Sequence, residues 1–257
     1  MLDLALAQLA QTGLTTTQLA LIPIGALAGY TVLGITGFGA TLVSGVLLAH
    51  VFPLKFLIPM HTLLDVTGAL VFGHKFAGEA DRRELAWLIP ILLVGMALGL
   101  ALLIHLPARF ALGLLGTFVL AYALYSLWGG HGGGGAPKWW GLPFGLAGGV
   151  FSALFGTGGP LYVIYLSRRI ENVRVVRSTV SILINVAAFV RMVMFFAAGL
   201  YTGPTIWVAY AIGLPFALAG IWLGRRLHDR LPVERIRRAI LWMLAASALS
   251  LLVRAAG

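Results

Sequence analysis

Long apolar runs separated by short polar connections recur from end to end of this 257-residue chain. They fall at about 17–36, 40–52, 56–76, 86–105 and 109–128, then at about 140–156, 159–167, 173–199, 204–227 and 233–254. Several reach the roughly 20 residues that an α-helix needs to cross about 30 Å of hydrocarbon. The pattern predicts an all-α polytopic membrane protein, and the ten-residue alternation of a transmembrane β-barrel is not evident. Residues 1–16 read as an N-terminal lead-in and 17–128 as a first transmembrane repeat. Residues 129–139 read as a flexible Gly-rich linker and 140–255 as a second repeat.

Two of these runs carry glycine clusters that suit a helix poorly. The first is Gly34-Ile35-Thr36-Gly37-Phe38-Gly39-Ala40-Thr41, and the second is Gly156-Thr157-Gly158-Gly159-Pro160. In a helix interior glycine costs roughly 1 kcal/mol and proline about 3 kcal/mol relative to alanine. An opened backbone in hydrocarbon also has no water to bond. Irregular backbone survives at membrane depth where it lines a cavity, and paired breaks in two halves point to a transporter's substrate site. Close helix packing through small residues is the alternative. Pro160 fits the first position of a new helix. Half-helix N-termini present N–H groups and a positive dipole end to anions. These breaks nominate Gly37, Gly39, Thr41, Gly156, Thr157, Gly158 and Gly159 as substrate-binding residues.

The halves can be laid over each other. Gly37 to Leu42 corresponds to Gly156 to Leu161 at a spacing of 119, and Trp87 to Trp207 at 120. Gly95-xxx-Gly99 corresponds to Gly220-xxx-Gly224 at 125, and Leu106-Pro107 to Leu231-Pro232 at the same offset. Each half therefore holds a Gly-rich broken first segment, a polar second segment ending near Gly78 or Gly199, a Trp with a Gly-xxx-Gly helix, and Leu-Pro before a final helix. This arrangement resembles the TauE/SafE family of sulfite and organosulfonate exporters over residues 17–255. The resemblance implies secondary transport of a small anion across a bacterial inner membrane. The first half's Gly-Phe-Gly-Ala departs from the fuller Gly-Thr-Gly-Gly of the second, so the two sites are not expected to be strictly equivalent.

Composition narrows the class further. Hydrophobic residues make up 60% and charged residues 10%, with a mean hydropathy of +0.97; globular chains average about 25% charged. The net charge of +10 sits mostly in short connections, where it sets topology rather than marking a nucleic-acid partner. If each broken segment spans once, eight crossings divide the cations twelve to five. If each instead turns back as a hairpin, ten segments divide them fourteen to three, and the halves become inverted repeats. The hairpin form is favoured because 17–52 is too long for one span. Both forms place the two termini outside. The absence of cysteine excludes disulfides and thiolate chemistry. With no cation before Lys55, a secretory signal peptide is not expected.

Ionisable residues inside apolar runs are costly and hence functional candidates. Arg191 lies near the centre of its run, where a planar guanidinium suits a sulfite or sulfonate group, the alternative being an ion pair with Asp65. His61 and Asp65 are four residues apart on one helical face and could couple protons, or merely orient the helix. Ser178, Ser181 and Asn185 form a polar stripe, of which Ser181 and Asn185 join the binding candidates. Arg168, Arg169, Arg174 and Arg177 read as loop charges serving topology and lipid contact, as do Arg225, Arg226 and Arg230, the alternative being a cytoplasmic funnel that concentrates dianions. His74, Lys75 and the set Glu79, Asp81, Arg82, Arg83 and Glu84 read as a solvated loop. No phosphate-binding loop, zinc helix motif or nucleophile elbow occurs, so neither an enzyme, a cofactor nor a metal is expected. The expected partners are a small anionic substrate and membrane lipids, with a homodimer left open.

Overall fold

The computed structural model describes residues 13–72, 79–128, 135–228 and 233–256. Ten α-helices and no strand occur among the described residues. The first half holds α1 (Thr16–Thr36), α2 (Ala40–Leu48), α3 (Leu54–Phe72), α4 (Arg82–His105) and α5 (Ala108–Trp128). The second holds α6 (Gly141–Phe155), α7 (Gly159–Ser167), α8 (Val173–Ala197), α9 (Pro204–His228) and α10 (Val233–Ala256), after a 3₁₀ turn at Lys138–Trp140. Six of them (α1, α3, α4, α5, α8 and α9) are long and apolar enough to cross a membrane. Bulky apolar side chains such as Ile24, Val94, Phe110, Val193 and Trp242 lie exposed on the outer surface, an arrangement suited to lipid.

Glycine conformation sets the helix ends at both clusters. α1 stops at Gly37, whose φ of 86° is left-handed, and α2 starts after Gly39 at φ 89°. α6 stops at Gly156, φ 69°. Every described residue with positive φ is a glycine, because a Cβ is strained there. Gly158 is ordinary in φ (−69°); it is small because a Cβ would strike the Ser152 hydroxyl and the Gly148 carbonyl.

The chain reverses at each cluster. Gly29 faces Ser44 and Gly25 faces Leu48, so α2 runs back along α1; Gly148 faces Tyr162, so α7 runs back along α6. The longest seams join opposite halves. α1 lies parallel to α9, with Ile22 by Gly213, Leu27 by Gly220 and Gly34 by Gly224. α6 lies parallel to α4, with Ile91 by Gly145, Gly95 by Gly149 and Ala153 by Gly99. α5 and α10 run antiparallel, with Gly116 by Leu252 and Gly113 by Ala255.

The structure corrects the loop reading of residues 79–84. Asp81 caps α4, accepting from the amides of Arg83 and Glu84 at 2.8 and 3.2 Å, so Arg82 to Glu84 form its first helical turn. Glu84 is only 4% exposed. Its carboxylate takes Nε and Nη2 of Arg169 at 3.1 and 2.9 Å and the Tyr165 hydroxyl at 2.8 Å. Arg169 also donates to the Ala136 carbonyl, so this cluster ties α4 to the end of α7 and to the linker. Glu84→Gln should keep the shape and lose the charge, lowering stability by about 1.5–3 kcal/mol, the range for hydrogen bonds to charged groups. Thermal unfolding of the purified variant measures this. His74, Lys75, Gly78, Arg230, Leu231 and Pro232 lie outside the described residues.

Candidate functional site

The two glycine clusters meet. A Cβ at Gly156 would lie 2.8 Å from a Thr41 methyl, and one at Gly159 would lie 3.4 Å from Phe38. Beside their junction is a cavity of about 70 Å³. It is lined by Gly37, Gly39 and Thr41 from the first cluster and by Gly156, Thr157, Gly158 and Gly159 from the second. Asp65 of α3 and Ser181, Asn185 and Arg191 of α8 complete the polar wall. Eleven of the twelve residues nominated from the sequence thus share one space; His61 is the exception. Both nine-residue helices, α2 and α7, begin at this cavity; in α7 Pro160 has no N–H and the Leu161 and Tyr162 amides bond the Gly158 carbonyl, so its first turn offers the Gly159 amide.

Arg191 is 3% exposed and each branch of its guanidinium is engaged. Nε donates to the Thr62 hydroxyl at 2.7 Å, Nη1 to the Ser152 carbonyl at 2.5 Å, and Nη2 to Asp65 Oδ2 at 2.7 Å. Of the two sequence readings for Arg191, the Asp65 pair is present. Asp65 also accepts from the Tyr30 hydroxyl at 2.6 Å and from the Thr41 hydroxyl at 3.3 Å. Charge and hydrogen bonds are therefore balanced inside a low-dielectric site, which is what makes a buried pair tolerable.

His61 is fully buried one turn away and is not hydrogen bonded to Asp65. Its Nδ1 lies 3.0 Å from the Leu57 carbonyl and its Nε2 2.6 Å from the Ser44 hydroxyl, which also bonds the Ala40 carbonyl at 2.8 Å. The Thr157 hydroxyl, like that of Tyr162, is buried without a hydrogen-bond partner among the described residues. Thr157 is 3% exposed and lines the cavity. Sequence reading missed Tyr30. A tyrosine in mid-run of a membrane segment needs a partner for its hydroxyl, and that signal was present in Ala28-Gly29-Tyr30.

Among protein families, the model described as sulfite exporter TauE/SafE matches residues 21–251. The chain belongs to the TauE/SafE family. A curated relative, the probable inner membrane transporter protein TsaS of Comamonas testosteroni, is 32% identical over 191 residues, covering 74% of this chain and 80% of the relative. No solved structure matches. This TauE/SafE protein is thus an integral membrane transporter and not an enzyme, and no cluster able to hold a metal ion occurs among its described residues.

Proposed function

We propose that this TauE/SafE protein is a secondary transporter that exports a small oxyanion, sulfite or an organosulfonate, across the bacterial inner membrane. The observation that carries the reading is the central cavity, where two helix N-termini, the unpartnered Thr157 hydroxyl and a guanidinium converge. The volume of about 70 Å³ accepts a few heavy atoms, the size of an inorganic oxyanion or a sulfonate head. The Gly159 amide at the start of α7 and the Thr157 hydroxyl supply neutral donors, and Arg191 supplies the charge.

The two halves are read as inverted repeats around this cavity. The antiparallel course of α2 on α1 and of α7 on α6 supports the hairpin form. Following the helices in turn, the end of α5, the Arg168–Arg177 segment, the end of α9 and the start of α10 share one end with the start of α4. Counted along the sequence, fourteen cations fall to that end against Lys55, Arg109 and Arg254 at the other, which favours a cytoplasmic assignment and leaves both termini outside.

Asp65 gives the transporter a proton switch. An anion and the Asp65 carboxylate are alternative ligands for the same guanidinium edge. Protonating Asp65 frees Nη2 for the anion, and losing that proton returns Arg191 to Asp65. One proton then travels with one anion, and a dianion so accompanied still carries one negative charge outward. With a negative interior that charge gains about 2.3 kcal/mol per 100 mV. His61 can serve the same traffic, because both ring nitrogens face groups able to accept a hydrogen bond. Arg191→Gln is expected to reduce sulfite flux into proteoliposomes at least about 100-fold, the loss of a charge-assisted hydrogen bond together with the site's positive charge. Unchanged flux in a folded variant would remove Arg191 from the binding role.

A further inference from the structure

A second, larger cavity of about 310 Å³ adjoins the first at the cation-rich end. It lies between the end of α1, the end of α7 and the start of α8, and Gly37 lines both cavities. Arg177 lines it and reaches over the first glycine cluster, since a Cβ at Gly37 would be 3.2 Å from Arg177 Nε. Arg177 therefore does not act only as a loop charge. It sits in the second turn of α8, and Ser181, Asn185, Ala188 and Arg191 follow it at steps of four, four, three and three on one helical face. Ser181, Asn185 and Arg191 belong to the central cavity, so one stripe of α8 runs from arginine to arginine through both spaces. The separation along the axis is about 21 Å at 1.5 Å per residue.

The two spaces have different chemistry. The outer one offers Arg177, Thr36 and Ser167 beside an apolar wall of Val163, Val176 and Val180, with Phe38 between it and the inner cavity. The inner one is several times smaller, and its own apolar residues, among them Leu33, Pro160, Ile184 and Ile221, close around a space that fits a head group alone. Glu171 also lines the outer cavity, and its carboxylate disfavours a second negative charge on a ligand.

We infer that the Arg177 cavity is a separate binding station for an amphipathic organic monoanion, with its anionic head on Arg177 and its hydrocarbon part on the valine wall. This rests on the anion-transport reading above and narrows it, because only the outer station has room for an organic substituent. The inner station then handles the head alone. Burying a methylene tightens binding about three- to fourfold, so affinity at the outer station should climb with chain length while the inner station is indifferent to it.

The test uses the purified full chain and ligand-induced thermal stabilisation, with sulfite and straight-chain alkanesulfonates from methane- to hexanesulfonate as probes. Wild type should bind hexanesulfonate far more tightly than methanesulfonate. Arg177→Gln should lose at least tenfold in hexanesulfonate affinity and flatten the series, with Arg177→Lys keeping part of it and both keeping the sulfite response. Val163→Trp, which fills the valine wall and retains the charge, should flatten the series in the same way without touching methanesulfonate. It decides the matter should Arg177→Gln fail to fold. A wild-type series without chain-length dependence, or Arg177→Gln and Val163→Trp series that track wild type, would overturn the outer station. A sulfite response that survives Arg191→Gln would instead overturn the central reading alone.

Discussion

Asp65→Asn should weaken the fold and tighten anion binding together. In the native protein Arg191 is 3% exposed and its only ion-pair partner among the described residues is Asp65, at 2.7 Å. Removing that carboxylate leaves a guanidinium buried without a countercharge, which costs about 3–5 kcal/mol. The Tyr30 and Thr41 hydroxyls lose an ionised acceptor in the same step. An oxyanion entering the cavity restores the missing charge, so sulfite should stabilise Asp65→Asn more than wild type and recover much of the deficit. A ligand at about 1,000 times its Kd contributes about 4 kcal/mol, enough to offset the loss. Sulfite titrations followed by thermal unfolding of both proteins measure it. The switch also requires sulfite flux through Asp65→Asn to lose its dependence on a pH gradient. A variant as stable as wild type, with an unaltered sulfite response, would show that the pair does not govern Arg191.

The second large effect concerns the seams. A Cβ at Gly224 would meet the Thr31 carbonyl oxygen, and one at Gly95 the Leu146 carbonyl oxygen. Both obstacles are backbone, so no rotamer change relieves them and the helices must separate. Gly224→Ala and Gly95→Ala should each cost about 1–3 kcal/mol, the range for overpacking a close-packed contact. The seams involve different helices and share no partner, so the double variant should lose the sum within about 0.5 kcal/mol. Gly203→Ala is the control, since nothing lies within 4 Å of its added methyl. Guanidinium or thermal unfolding in detergent reads all four proteins. Equal stability of Gly203→Ala and Gly224→Ala would mean that the close approach contributes little.

Much of this was legible because hydrophobic runs in a membrane protein report helices directly. The runs from 17–36 to 233–254 correspond to the ten helices, and the glycine clusters fall at helix ends as their conformational freedom requires. Arg191 and Asp65 stood out because a charge in an apolar run needs a partner. What was hidden depends on contacts remote in sequence. Glu84 looked like a loop acid because Arg169 lies 85 residues away and nothing local announces their pairing. Arg177 looked like one of four topology charges because a sequence does not reveal which side of a helix faces a cavity. Asp81, by contrast, was a readable cap. It precedes an apolar run and has Glu84 three residues on, the pattern of a helix start, set within a dense run of charges that also suits a solvated loop.

The crosswise seams set a timetable for biogenesis. α1 has its long partner in α9, and 188 residues separate Thr16 from Pro204. At about 5–20 residues per second, roughly 10–40 s pass before the ribosome delivers that partner. During that interval the α1 face carrying Gly34 lacks the α9 backbone it packs against. α4 waits far less, because α6 follows as soon as the linker is made. The α4–α6 seam is therefore the first cross-half seam available to the nascent chain, α1 with α9 follows, and α5 with α10 closes last.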